Sequence, residues 1–176
     1  MRRLEAEALR DALLAVSGEL NPEMTGVGVG VMRTSEGEIV SPETPAGRRR
    51  SIYQLVRRST PLTILQVFDQ PVIETNCTRR SVSTVSSQAL TLLNSDFLTA
   101  RASAFAARVL REAPTDTAGE ALRLAYGRKA TPREGAILGE FLKAQATRHA
   151  GADAKAKALA DLCQMLMSAN EFVYVD

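Results

Sequence analysis

Between residues 118 and 167, apolar residues recur at three- and four-residue spacing. Start and stop signals that dictate helices punctuate the run. Ala118, Ala121, Leu122 and Ala125 form one stripe, closed by Gly127, a residue that takes the left-handed conformation cheaply. Thr131-Pro132-Arg133-Glu134 reads as a capping box with proline in the first turn, opening a helix expected to bury Ile137, Leu138, Phe141 and Leu142. A last stripe of Leu159, Leu162, Cys163, Leu166 and Met167 precedes a tail, EFVYVD, expected to be extended. Such stripes are satisfied only by burial against one another. The chain is therefore predicted to be mainly α: an irregular helical domain with a short strand or hairpin and long N-terminal loops. Its 176 residues, 45% of them apolar, match a single domain with a real core.

The first half carries weaker signals. A helix is expected over residues 2–16, where Leu9, Leu13 and Val16 recur with Ala6 and Ala12, and Ser17-Gly18 stops it. Residues 21–47 are rich in glycine and proline and read as a loop or short hairpin lying over the domain. They hold no G-x-G-x-x-G, so a dinucleotide fingerprint is excluded. SIYQLVRR, residues 51–58, looks strand-like. Thr60 and Pro61 look like the N-cap and first residue of a short helix ended by Pro71. A polar, turn-rich stretch over 74–87 follows. Helix then runs over 87–93, breaks near Asn94-Ser95, and resumes through Leu98, Ala102, Phe105 and Val109.

Net charge is only +2, so the molecule as a whole recommends no partner. Locally, Arg48, Arg49, Arg50, Arg57, Arg58, Arg79 and Arg80 face only Asp69 and Glu74. The plain reading is that these arginines pair with carboxylates or are solvated. The sharper reading is an anion-binding face built from Arg57, Arg58, Arg79 and Arg80. An anionic glycan or a phosphate would satisfy these guanidiniums. Nucleic acid is disfavoured, because the segment lacks recognition-helix character and the chain is not strongly basic.

Catalytic signals are weak. Cys77 precedes Arg79-Arg80, which would lower a thiol pKa, but a cysteine nucleophile wants a histidine base and His149 is the only histidine. His149 itself reads as an exposed helix-end residue. No G-x-S-x-G elbow exists for a serine hydrolase. Glu74 and Asp96 are the carboxylates of an enzyme alternative, a glycan-hydrolysing cleft with arginine. The plainer reading pairs Glu74 with a local arginine and makes Asp96 the cap of the helix near Phe97. Neither cysteine stands in C-x-x-C-H, so no covalent haem site is present, and three scattered Cys and His residues do not make a zinc site. Cys77 and Cys163 are candidates for one disulfide in an exported protein. Neither a signal-peptide core nor a run of ~20 apolar residues is visible, so this stretch alone would stay in the cytoplasm.

Three stretches carry a family resemblance: RRSIYQLVRRSTPLTILQVFDQP, NCTRRSVSTVSSQALTLLNSDF and LADLCQMLMSANEFVYVD. They resemble the C-terminal domain of unknown function numbered 1553, found in large planctomycete and verrucomicrobial proteins. Residues 48–97 are then the signature segment and 98–176 the helical part of a single domain over 1–176. The resemblance implies a module that follows a cytochrome c domain in exported proteins associated with extracytoplasmic polysaccharide breakdown. Haem would belong to those upstream domains, which are the expected partners. No catalytic residues are established for the family, so none carries over. Residues 2–16 resemble an internal helix of the domain, and a C-terminal fragment with part of its helical core exposed is the resulting expectation.

Overall fold

A computed structural model describes residues 2–71 and 77–175. In the first half, β1 (Arg2–Arg3), α1 (Ala6–Val16), β2 (Met32–Arg33), β3 (Ile39–Val40) and α2 (Thr63–Val67) alternate with long loops. In the second, α3 (Ser86–Asn94), α4 (Asp96–Glu112), α5 (Thr117–Tyr126), α6 (Pro132–Arg148), α7 (Ala154–Ser168) and α8 (Asn170–Val173) run almost without interruption into β4 (Tyr174–Val175). The protein is mainly α, with two small antiparallel pairs. β1 pairs with β4, Arg2 opposite Val175, and β2 pairs with β3, Met32 opposite Val40.

The helical body is organised around α7, which packs against α3, α4, α5 and α6. Leu162, Cys163 and Met167 from α7 meet Leu98, Phe105 and Val109 from α4 and Leu122 from α5, none more than 2% exposed. Each such side chain contributes about 1.5–3 kcal/mol of burial. The capping box forms as read: Thr131 Oγ1 accepts from the Glu134 amide at 3.3 Å and Glu134 Oε2 accepts from the Thr131 amide at 2.7 Å. Gly127 ends α5 at φ 71, the left-handed region that favours glycine. The break between α3 and α4 falls at Ser95, which is extended and serves as C-cap of one helix and N-cap of the next.

Several local expectations are corrected. Residues 2 and 3 are strand rather than helix, because β4 supplies a partner and Arg3 is drawn into the interior. SIYQLVRR is not a strand. Ser51–Tyr53 is a 3-10 turn, bent by Asp11, whose Oδ1 accepts from both the Ser51 amide and Oγ at 2.7 Å. Thr60 does not cap α2. The helix starts at Thr63, whose Oγ1 instead accepts from the Ile39 amide at 2.9 Å. Asp96 does not cap α4. Ser95 Oγ accepts from the Leu98 amide at 3.2 Å, and Asp96 is the first helical residue, exposed, where its charge suits the helix N-terminus. Ile137 is 54% exposed, since α6 meets the body along a narrow line centred on Leu138. The tail takes one helical turn, α8, before it becomes extended.

Candidate functional site: arginines inside and outside the loop layer

The loops between α1 and α2 form a layer over α1 and α4, and buried arginines fasten it. Arg10 lies on the core-facing stripe of α1 and is 1% exposed. One of its terminal nitrogens donates to Arg49 O at 3.0 Å and Ser51 Oγ at 3.2 Å. The other donates to Ser41 Oγ at 3.0 Å and Gly47 O at 2.6 Å. Burial lowers the Arg10 pKa to about 10, with Asp11 opposing the shift, so the side chain remains a cation at neutral pH. Gly47 is required where it stands: a Cβ there would lie 1.9 Å from Pro42 O.

Arg49 repeats the device one layer out. Its guanidinium donates to the carbonyls of Glu23, Thr25 and Val27 and lies 4.1 Å from the Tyr53 ring centroid. Arg101 of α4 pairs with Glu19 at 2.6 Å and Glu43 at 2.7 Å, and Arg48 pairs with the same two carboxylates at 2.9 and 3.0 Å. Burial pushes the Glu43 carboxyl up, but bonds from Arg101 and Arg48 outweigh it and hold it below its ordinary value. These are fork-shaped donors spent on carbonyls and carboxylates of the protein itself.

A second cluster stands at the β1 edge. Arg3 donates to Phe68 O at 3.0 Å, Ser83 O at 2.6 Å and Asp69 Oδ2 at 2.8 Å. Asp69, held at φ 64, also accepts from the Ser83 amide at 2.7 Å. Beside this knot lies a hollow of about 430 Å³ whose walls include Arg2, Glu5, Arg79 and Arg80. Arg80 is committed to Glu7 at 2.7 Å and Glu5 at 3.1 Å, and hydrogen bonding to Glu7 raises its pKa further. Arg79 is exposed and makes no hydrogen bond or ion pair among the described residues.

The four arginines of the expected anion face are not gathered in one hollow. Arg79 and Arg80 line the one just described, whereas Arg57 lines another, beside the β2–β3 hairpin, and Arg58 is exposed and engaged. Of the enzyme alternative, Glu74 lies outside the described residues, Cys77 is exposed, and Asp96 is exposed at the start of α4. His149 caps the end of α6 half-buried, with Nε2 2.7 Å from Asp161 Oδ2. Both cysteines are free thiols, and burial pushes the Cys163 thiol up to about 12, which keeps it protonated and inert. Among the described residues, no three His, Cys, Asp or Glu side chains gather around a metal position. None of the described helices is long and apolar enough to cross a membrane.

Sequence reasoning missed Arg3, Arg10 and Arg101 as interior residues. For two of them the signal was present. Arg10 sits one turn from Ala6 and one from Leu14, and Arg101 one turn from Phe97 and one from Phe105, so each interrupts an otherwise apolar stripe.

The family described as PSD1, protein of unknown function (DUF1553), matches residues 1–142. The chain belongs to the PSD1 family. The match includes the loop layer, the buried arginines and both hollows, and it ends inside α6. The hub helix α7 and the tail that completes the β1–β4 pair lie beyond it. No curated protein and no solved structure matches the chain.

Proposed function

We propose that this PSD1 chain is a packing module with an anion-binding face rather than a catalyst. Such a module fits an extracytoplasmic, cytochrome-associated protein that handles polysaccharide, with haem carried by other domains of that protein. The observation that carries the reading is the division of labour among the arginines. Arg3, Arg10, Arg49 and Arg101 are buried and fasten loop backbone and carboxylates. Arg79 stands exposed with Arg2 on the walls of the 430 Å³ hollow, its donors unspent among the described residues. A carboxylate or sulfate on a glycan is a ligand for which a guanidinium fork is suited.

Calorimetric titration with an oligogalacturonate and with a neutral oligosaccharide of equal length tests this. Binding of the charged oligomer alone, weakened by salt and by Arg79→Ala, is the expected result. Equal binding of both, or of neither, removes the anion-binding face.

A further inference from the structure

We propose a second and separate binding site in the loop layer, for a small amphiphilic anion: a carboxylate or phosphate monoester carrying a compact apolar body. The site is the hollow beside the β2–β3 hairpin, about 440 Å³, a size within the range of small-molecule pockets. Its charged walls are Arg33 and Arg57. Neither guanidinium has a hydrogen bond or ion pair among the described residues, in contrast to the arginines a few residues away that are consumed by the fold.

The remaining walls are of the right kind for such a ligand. Val31, Ile39 and Leu55 provide apolar surface, and Thr60 adds a hydroxyl. No acidic residue lines the hollow among the described residues. The nearest acids in sequence are otherwise disposed. Glu38 borders a different cavity of about 20 Å³, next to Arg10, and Glu36 lies in the hairpin turn with its carboxylate accepting from Ser35 Oγ at 2.7 Å. Two guanidiniums without a counter-charge, above an apolar wall, leave an uncompensated positive site that an anion with an apolar body complements.

The frame is built rather than incidental. The Val29 amide donates to Tyr53 O and the Leu55 amide to Val29 O, each at 2.8 Å, which ties the Arg33 side of the hollow to the Arg57 side. The hairpin holds Arg33 opposite Ile39, and the Thr34 amide closes its turn on Glu38 O at 2.8 Å. Arg49 grips Glu23, Thr25 and Val27 from beneath, so the segment leading to the hollow is anchored by a buried cation.

The test is an NMR titration of the full chain with phenyl phosphate, with inorganic phosphate and benzyl alcohol as the two half-ligands. Phenyl phosphate is expected to shift the amides of Gly30, Val31, Leu55 and Thr60 and to bind at least about tenfold more tightly than either half-ligand. Arg33→Gln and Arg57→Gln are each expected to weaken binding about tenfold, and the double variant to abolish it. Both side chains are exposed and unbonded, so the variants keep the fold, which unchanged spectra elsewhere will verify. Arg79→Ala is expected to leave this binding untouched, so failure here and failure of the glycan-binding face are separate results. Unchanged affinity in the double variant, shifts confined to other residues, or benzyl alcohol binding as well as phenyl phosphate would each overturn the proposal.

Discussion

The loop layer over residues 19–62 and the helical body from α4 to α7 are two answers to the same problem of leaving no polar group stranded. The body hides its polar backbone in helices and its centre is apolar: Phe105, Leu162 and Cys163 are each 0% exposed and need no directional partner. The layer has little regular structure, so its carbonyls must be satisfied one by one. Arg10 and Arg49 do this by reaching Gly47, Arg49, Glu23, Thr25 and Val27. Packing tolerates small adjustments spread over many contacts, whereas a cation that serves four acceptors has no substitute. The body is therefore expected to fail as a whole and the layer to fail at single residues.

Phe105→Ala breaks the comparison on the body side and carries the largest expected cost, about 3–5 kcal/mol. Urea unfolding is expected to show one cooperative shift, and Cys163 reports it independently. The exposed Cys77 reacts with a thiol reagent at once, while Cys163 is expected to react only as fast as the body opens. Reaction of Cys163 well below the urea transition of the body would contradict this. Next in size is Arg10→Met, which keeps the bulk and removes the donors to Gly47 O, Arg49 O and two serine hydroxyls, at a cost on the order of 3 kcal/mol. Hydrogen exchange is expected to accelerate in residues 41–54 and to stay slow in α4 and α7. Uniform acceleration would mean that layer and body are one cooperative unit.

Ser95→Ala tests the entry to the helical body, since Ser95 ends α3 and caps α4. About 1 kcal/mol is expected, read from the urea midpoint. The smallest effect is a pH dependence at the rim of the body. Hydrogen bonding from Arg128, then from Thr131, holds the Glu134 carboxyl at about 2 rather than 4.5. A carboxyl depressed by folding stabilises above its unfolded value and loses that contribution as pH falls through the folded one. The wild type is expected to melt above Glu134→Gln at neutral pH, with the gap closing between about pH 4.5 and 2. A gap that survives at pH 2 would rule out the Arg128 pair as its source.

What was legible in the sequence follows the same divide. The capping box at Thr131, the glycine stop at Gly127, the burial of Cys163 and the break at Asn94-Ser95 are written in neighbouring residues, because helices are specified locally. The layer is specified by partners far along the chain, and local reading failed there. Ser51–Tyr53 turns because Asp11 captures Ser51, and Thr63 opens α2 with its hydroxyl already engaged by Ile39. Arginines read as solvated or ligand-facing divide into both kinds: Arg49 is interior, Arg80 is tied to α1, and Arg57 is open. No short window distinguishes them, since the difference lies in which carbonyl or carboxylate stands opposite.

The β1–β4 pair sets a timetable. Arg2 and Arg3 are made long before their strand partners, Tyr174 and Val175. Until Tyr174 and Val175 are made, β1 has no mate, and the grip of Arg3 on Phe68 and Ser83 lacks its backbone support. Pairing across so long a stretch of chain is slow to form. β4 thus acts as a latch on β1, and until it is made the growing chain leaves the Arg3 knot open to proteases.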